Sequence, residues 1–155
     1  MGCAMGIQFS EDEEREFLTT THTGVVTTLR RDGWPVSLPV WFAYVDGAIY
    51  LRTPAKSRKV ARVRHDDRAC FLVEAGEAWA ELHAVVWLGR LTEVTDNDLR
   101  ERAGAVISGK YAGFSMVRAK VPDATKQHYG SRDVLYELRP TERRLTWDNR
   151  KLRIG

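Results

Sequence analysis

Residues 53–59 read TPAKSRK and gather the hydroxyls of Thr53 and Ser57 with the cations of Arg58 and Lys59. Hydroxyls donate to phosphate oxygens and cationic side chains neutralise them, so these types at this spacing can hold a phosphate. The same residues also make an ordinary solvated loop. The flanking elements bear on the choice. AIYLRT, residues 48–53, is an apolar run of strand type that ends at the cluster. SRKVARVRHD, residues 57–66, places Val60 and Val63 on one helical face, with Ser57 as the natural N-cap. The cluster then sits at a helix N-terminus, where unpaired amides and a partial positive charge suit an anion. All four residues converge only if Pro54-Ala55-Lys56 turns the chain back. The residue types alone leave the phosphate cradle and the solvated cap both open.

Other chemistry finds little support. The histidines, at 22, 65, 83 and 128, are scattered without carboxylate or thiol partners at metal-ligand spacing, so no metal site is expected. Patterns of the G-x-S-x-G, Walker or G-x-G-x-x-G kind are absent, and Ser131-Arg132-Asp133 lacks an identifiable base. Trp147 offers a broad π-face that can wall a cofactor pocket or simply close a barrel. Arg62 falls on the helix where it can reach a phosphate or stay in water. Arg150, Lys151 and Arg153 read as a solvated tail or as contacts for an anionic group, and Arg30-Arg31 as a surface pair.

The elements that must position these residues are mostly strands. Ser10 with Glu13 forms a capping box for a short helix to about Leu18. GVVTTLRR, WPVSLPVWFAYV and AIYLRT then read as three strands joined at Asp32-Gly33 and Asp46-Gly47, the dipeptide type that favours hairpins. Pro35 and Pro39 put the second of these at an edge, at a bulge or beside a ligand. RACFLVEA is a strand, and AWAELHAVVWLGRLTEV is too β-branched and aromatic for a helix. Asp96 starts a further helix with Leu99, Ala103, Val106 and Ile107 on one face. Residues 109–130 read as turns and loop, followed by the strands DVLYELRP and RRLTWD. About seven hairpin-connected strands with short helices predict a mainly β, small antiparallel barrel in a single domain over residues 1–155.

Composition bounds the classes. The 155 residues are 43% hydrophobic and 29% charged, which argues against disorder, and a net charge of +3 makes only a weak case for nucleic acid. Cys3 and Cys70 are expected to be reduced thiols. No apolar run has membrane-spanning length, and MGCAMG fits neither a secretory signal nor the myristoylation pattern, so a cytoplasmic protein is expected.

The T-x-x-x-S-R-K spacing between an apolar strand and a helix resembles the flavin phosphate-binding segment of pyridoxamine 5′-phosphate oxidases. DGWPVSLPVWFAYVDGAIYLRT, HDDRACFLVE, WLGRLTEVTD and RLTWDNRKL resemble the wider family of flavin-binding split barrels, which includes users of the deazaflavin coenzyme F-420. The resemblance implies a Greek-key split β-barrel with short peripheral helices. It further implies a homodimer with FMN across the interface, and a flavin-dependent oxidoreductase whose hydride chemistry belongs to the cofactor. It places the phosphate at Thr53, Ser57, Arg58 and Lys59 and the ring beside Pro39, Val40 and Trp41, and leaves Trp147 as a pocket wall. It counts Arg52 among the cofactor-binding residues, where with Arg62 and the C-terminal basic residues it suits the longer anionic tail of the deazaflavin. Departures from the oxidases are equally visible. Val36-Ser37-Leu38-Pro39 replaces an Arg-bearing motif and the closing Arg-Leu-x-Pro element is absent, so a small-molecule substrate other than the vitamin is expected. F-420 in place of FMN, or a non-catalytic flavin or haem carrier, are the alternatives. The exposed stacking aromatics of a nucleic-acid binder are not evident, because the aromatics lie within apolar runs.

Overall fold

The computed structural model describes residues 6–114, 122–124 and 132–152. A Ser10-capped helix, α1 (Glu11–Thr20), precedes β1 (Gly24–Leu29), β2 (Pro35–Val40), β3 (Phe42–Val45) and β4 (Ala48–Pro54). After α2 (Arg58–His65) come β5 (Arg68–Ala75), β6 (His83–Glu93), α3 (Asn97–Lys110), β7 (Asp133–Pro140) and β8 (Leu145–Asp148). Both Asp-Gly turns form as read. Gly33, Asp46 and Gly47 occupy the left-handed region at φ 85°, 49° and 82°, which favours just these residue types.

The strands pair antiparallel in the order β2-β1-β5-β6-β7-β4-β3, with β8 added to the free half of β6. The first and last strands of that order are neighbours in the chain, joined by Trp41 alone. The sheet therefore curls until both its edges belong to one segment, 35–45, whose first half pairs with β1 and second half with β4. This is the split barrel that the resemblance implies. It corrects one expectation: the single strand over 34–45 is two strands broken at Trp41, because the segment changes partner there. Eight strands result where about seven were expected.

Alternation fixes the faces. Val26, Phe42, Ile49, Leu51, Phe71, Val73, Trp87 and Leu138 fill the interior, joined by Leu18 of α1 and by Val60 and Val63 of α2. Outside, α3 lays Ala103 and Ile107 on Ala43, Ala48, Tyr50 and Leu135. Val106, expected on that apolar face, is exposed instead; the buried stripe runs 99, 103, 107. Among the described residues no helix covers the rest of the outer face, on β2, β1, β5, β6 and β8. One cross-strand row there reads Pro39, Val25, Leu72, Val86 and Leu145.

Two further expectations change. The helix α3 extends through Gly109 and Lys110, into the stretch read as loop; of that loop, residues 115–121 and 125–130 lie outside the described residues. Arg150 is solvent-exposed, as expected, but Lys151 is not part of a solvated tail. Arg150 pairs with Asp148 at 2.8 Å, and Lys151 Nζ donates to the Gln8 carbonyl at 2.7 Å and to Glu13 at 2.5 Å, because the 149–151 turn packs beside the start of α1. Arg153 lies outside the described residues.

Candidate functional site

The chain does turn back at residues 54–56: the Ser57 amide donates to the Pro54 carbonyl at 2.9 Å. This brings Thr53, at the end of β4, against Ser57, with their hydroxyl oxygens 3.2 Å apart. Ser57 caps α2 by accepting from the Val60 amide. The Arg58 and Lys59 amides, first in the helix, are left without intrahelical acceptors. An anion at this corner would meet two hydroxyls, two free amides and the positive end of α2.

The cations of α2 separate into two kinds. Arg58 is exposed, whereas Lys59 and Arg62, one turn apart on the same face, are half-buried. Burial pushes the Lys59 ammonium below its ordinary pKa, and the neighbouring Arg62 charge pushes the same way. Arg62 Nε donates to the buried Thr28 hydroxyl of β1 at 2.9 Å. Its Nη2 is buried with no hydrogen-bond partner, the one such side-chain nitrogen or oxygen among the described residues. No carboxylate lies within ion-pair distance of either cation among the described residues, whereas the arginines at 15, 30, 68, 90, 102, 139, 144 and 150 each have one. A buried donor without a partner is costly.

Thr28 also links this corner to the expected ring side. In the β1–β2 register Thr28 faces Val36, Val25 faces Pro39 and Gly24 faces Val40. Three to four residues of strand, about 10–13 Å, therefore separate the cations from Pro39 and Val40. Beyond Val40 lies the break. Trp41 is 43% exposed and stacks on Tyr111, with ring centroids 4.3 Å apart and planes at 6°. His22 and Phe114 extend this aromatic patch.

Two expected residues stand apart. Arg52 follows the alternation of β4 to the face opposite Thr53. There it donates to the Gly104 carbonyl at 2.9 Å, in a cavity of about 380 Å³ under α3 that also holds Arg100 and Asp133. Trp147 projects from the outer face of β8 beside Ala84. The structure thus sets Thr53 against Ser57 and Arg62 against Thr28, with Lys59 one turn from Arg62, and places Pro39, Val40 and Trp41 one strand-length from Thr28. Arg62 was legible only as an ambiguous helix cation. Tyr111 and Lys110 gave no local signal, because their contacts are long-range. Among the described residues no cluster of His, Cys, Asp or Glu could hold a metal, and no helix is long and apolar enough to cross a membrane.

The family model described as pyridoxamine 5′-phosphate oxidase matches residues 10–146. No curated protein matches the chain by sequence. Among solved structures, a conserved hypothetical protein of Mycobacterium tuberculosis is 28% identical with a TM-score of 0.79, over 100% of this chain and 98% of that one. A FAD-binding protein of Mesorhizobium loti is 21% identical with a TM-score of 0.66, over 90% and 94% of the two chains. An F-420 reductase is 19% identical with a TM-score of 0.59, over 83% and 93%. The last two likenesses speak for the fold.

Proposed function

The chain belongs to the pyridoxamine 5′-phosphate oxidase family, and from that premise we propose that it is a flavin-dependent oxidoreductase binding FMN. The observation that carries this reading is the pair of half-buried, unpaired cations, Lys59 and Arg62, beside the Ser57 cap. Thr53, Ser57 and the free amides of α2 would hold the phosphate, with Lys59 and Arg62 neutralising it and Arg58 adding charge at the rim. Pro39, Val40 and Trp41 would lie along the ring; Pro39 has no amide to donate, and the break at Trp41 frees peptide groups from the ladder. Bound flavin supplies hydride transfer. The chain's own part is to fix the phosphate, orient the ring and shield it from water, and no general acid or base is assigned.

The protein is proposed to act as a homodimer through the uncovered outer face, where the row from Pro39 to Leu145 meets its copy. That row of five apolar residues is the contact such a dimer would use. Trp147 stands on that face and would wall the partner's cofactor. A cytoplasmic setting and a small-molecule substrate complete the reading. A second reading keeps the cradle and exchanges FMN for the deazaflavin F-420, favoured by the likeness to an F-420 reductase.

Mass spectrometry of small molecules released from protein loaded with FMN or F-420 tests both readings. FMN held one per chain, and lost in Ser57→Ala/Lys59→Ala without loss of fold, is the expected result. Unchanged affinity in that double variant would remove the cradle. A carrier would hold the cofactor yet catalyse no substrate-dependent hydride transfer.

A further inference from the structure

The segment 35–45 changes partner at Trp41, and peptide groups at such a break lose their ladder acceptors and donors. Phe42 does not go short. Its amide donates to the Tyr111 hydroxyl at 2.8 Å, and that hydroxyl shares its proton between the carbonyls of His22, at 2.7 Å, and Phe42, at 2.9 Å. Tyr111 is 2% exposed and stands at the C-cap of α3. Its ring forms the stack under Trp41. The preceding Lys110 adds a second tie, donating to the Leu18 carbonyl at 3.2 Å with its Nζ 3.8 Å from the Phe42 ring centroid. Trp41 itself belongs to neither β2 nor β3 and is 43% exposed.

One hydroxyl therefore occupies the polar groups of Phe42, while the indole of the preceding Trp41 is fixed on one face and open on the other. We propose that Tyr111 is the positioning residue of the ring side: it holds the break open, so that the free face of the Trp41 indole is presented to the cofactor ring. This rests on the FMN reading above and goes beyond it, because Tyr111 touches the cofactor only through Trp41. Without the hydroxyl, Phe42 must find other partners, and the shift carries Trp41 with it.

The test separates ring from phosphate. Affinities of FMN, riboflavin and inorganic phosphate are measured for the wild type, Tyr111→Phe and Trp41→Leu, with phosphate read by competition against FMN. Tyr111→Phe keeps the stacked ring and removes only the hydroxyl. FMN and riboflavin should both weaken by about tenfold, the factor for one hydrogen bond, while phosphate affinity is unchanged. The absorption envelope of bound flavin should shift as well, which a purely structural role would not cause. Trp41→Leu leaves every hydroxyl bond in place and should show the same split. Wild-type riboflavin affinity in either variant overturns the proposal. So does a parallel loss of all three ligands, or a Tyr111→Phe chain that does not fold, since Tyr111 would then serve the fold alone. If the wild type binds neither FMN nor riboflavin, the cofactor reading itself falls; if it binds both and Tyr111→Phe matches it, only the role of Tyr111 falls.

Discussion

Arg62→Met separates a residue kept for binding from one kept for stability. The variant retains most of the aliphatic stem over β1 and removes the guanidinium. In the free protein two effects oppose. Loss of the 2.9 Å bond from Nε to the Thr28 hydroxyl removes a stabilising contact, worth about 1–2 kcal/mol. Loss of the buried, unpartnered Nη2 removes a penalty of about 1–3 kcal/mol. The sum leaves the stability of the free protein within about 2 kcal/mol of the wild type. Adding Thr28→Val deletes the acceptor too, and should bring stability to the wild-type value or above it.

Binding should respond very differently. A guanidinium donating to a phosphate makes charge-assisted bonds worth about 1.5–3 kcal/mol, so the FMN Kd should rise roughly 10- to 150-fold at 1.4 kcal/mol per decade. Urea unfolding of the free protein gives the first quantity, and quenching of FMN fluorescence on titration gives the second. An unchanged Kd together with a stability loss above about 2 kcal/mol would refute the reasoning, for Arg62 would then be a structural arginine with an unfavourable amine.

Two more outcomes follow from the same coordinates. Leu72→Glu puts a charge in the middle of the bare outer face, and light scattering should show a dimer for the wild type and a monomer for the variant; equal masses would remove the proposed interface. Burial lowers the Lys110 pKa to about 8, so the unfolded chain holds that proton to higher pH than the folded one. The penalty is thus fully present below pH 8 and relieved between there and about 10.4, and urea stability should rise by about 1–2 kcal/mol from pH 7.5 to 10, after allowing for the Phe42 ring and solvent screening. Lys110→Met should lack that rise, and an equal rise in the variant would count against it.

Much of this fold was legible because its signals are local. Ser10, Ser57 and Asp96 cap the helices they were expected to cap, and both Asp-Gly pairs make their turns. Pro35 and Pro39 do lie on an edge strand. The break at Trp41 was not legible. WPVSLPVWFAYV has no glycine or turn residue at that point, and what breaks it is a change of partner from β1 to β4. Likewise the Tyr111 hydroxyl finds its partners 69 and 89 residues away, and nothing in GKYAG announces them. Arg52, expected among the cofactor-binding residues, lies on the opposite side of the sheet from its neighbour Thr53, as alternation requires.

The distribution of charge ties these points together. The arginines at 15, 30, 68, 90, 139 and 150 each lie against a carboxylate, and such largely exposed pairs contribute little to stability. Carboxylates are therefore abundant, and pairing Lys59 and Arg62 would have needed a single acidic residue on β1 or α2. Instead β1 offers Thr28, a hydroxyl that orients the guanidinium without neutralising it. A paired site would be more comfortable and unable to receive an anion. Local rules are broken most often where function requires it, and here the breach lies at the corner where hydroxyls, free amides and a helix N-terminus also converge. Any one of these suits a solvated cap equally well; the proposed phosphate site rests on their meeting a half-buried guanidinium held by a neutral partner, beside a partly desolvated ammonium.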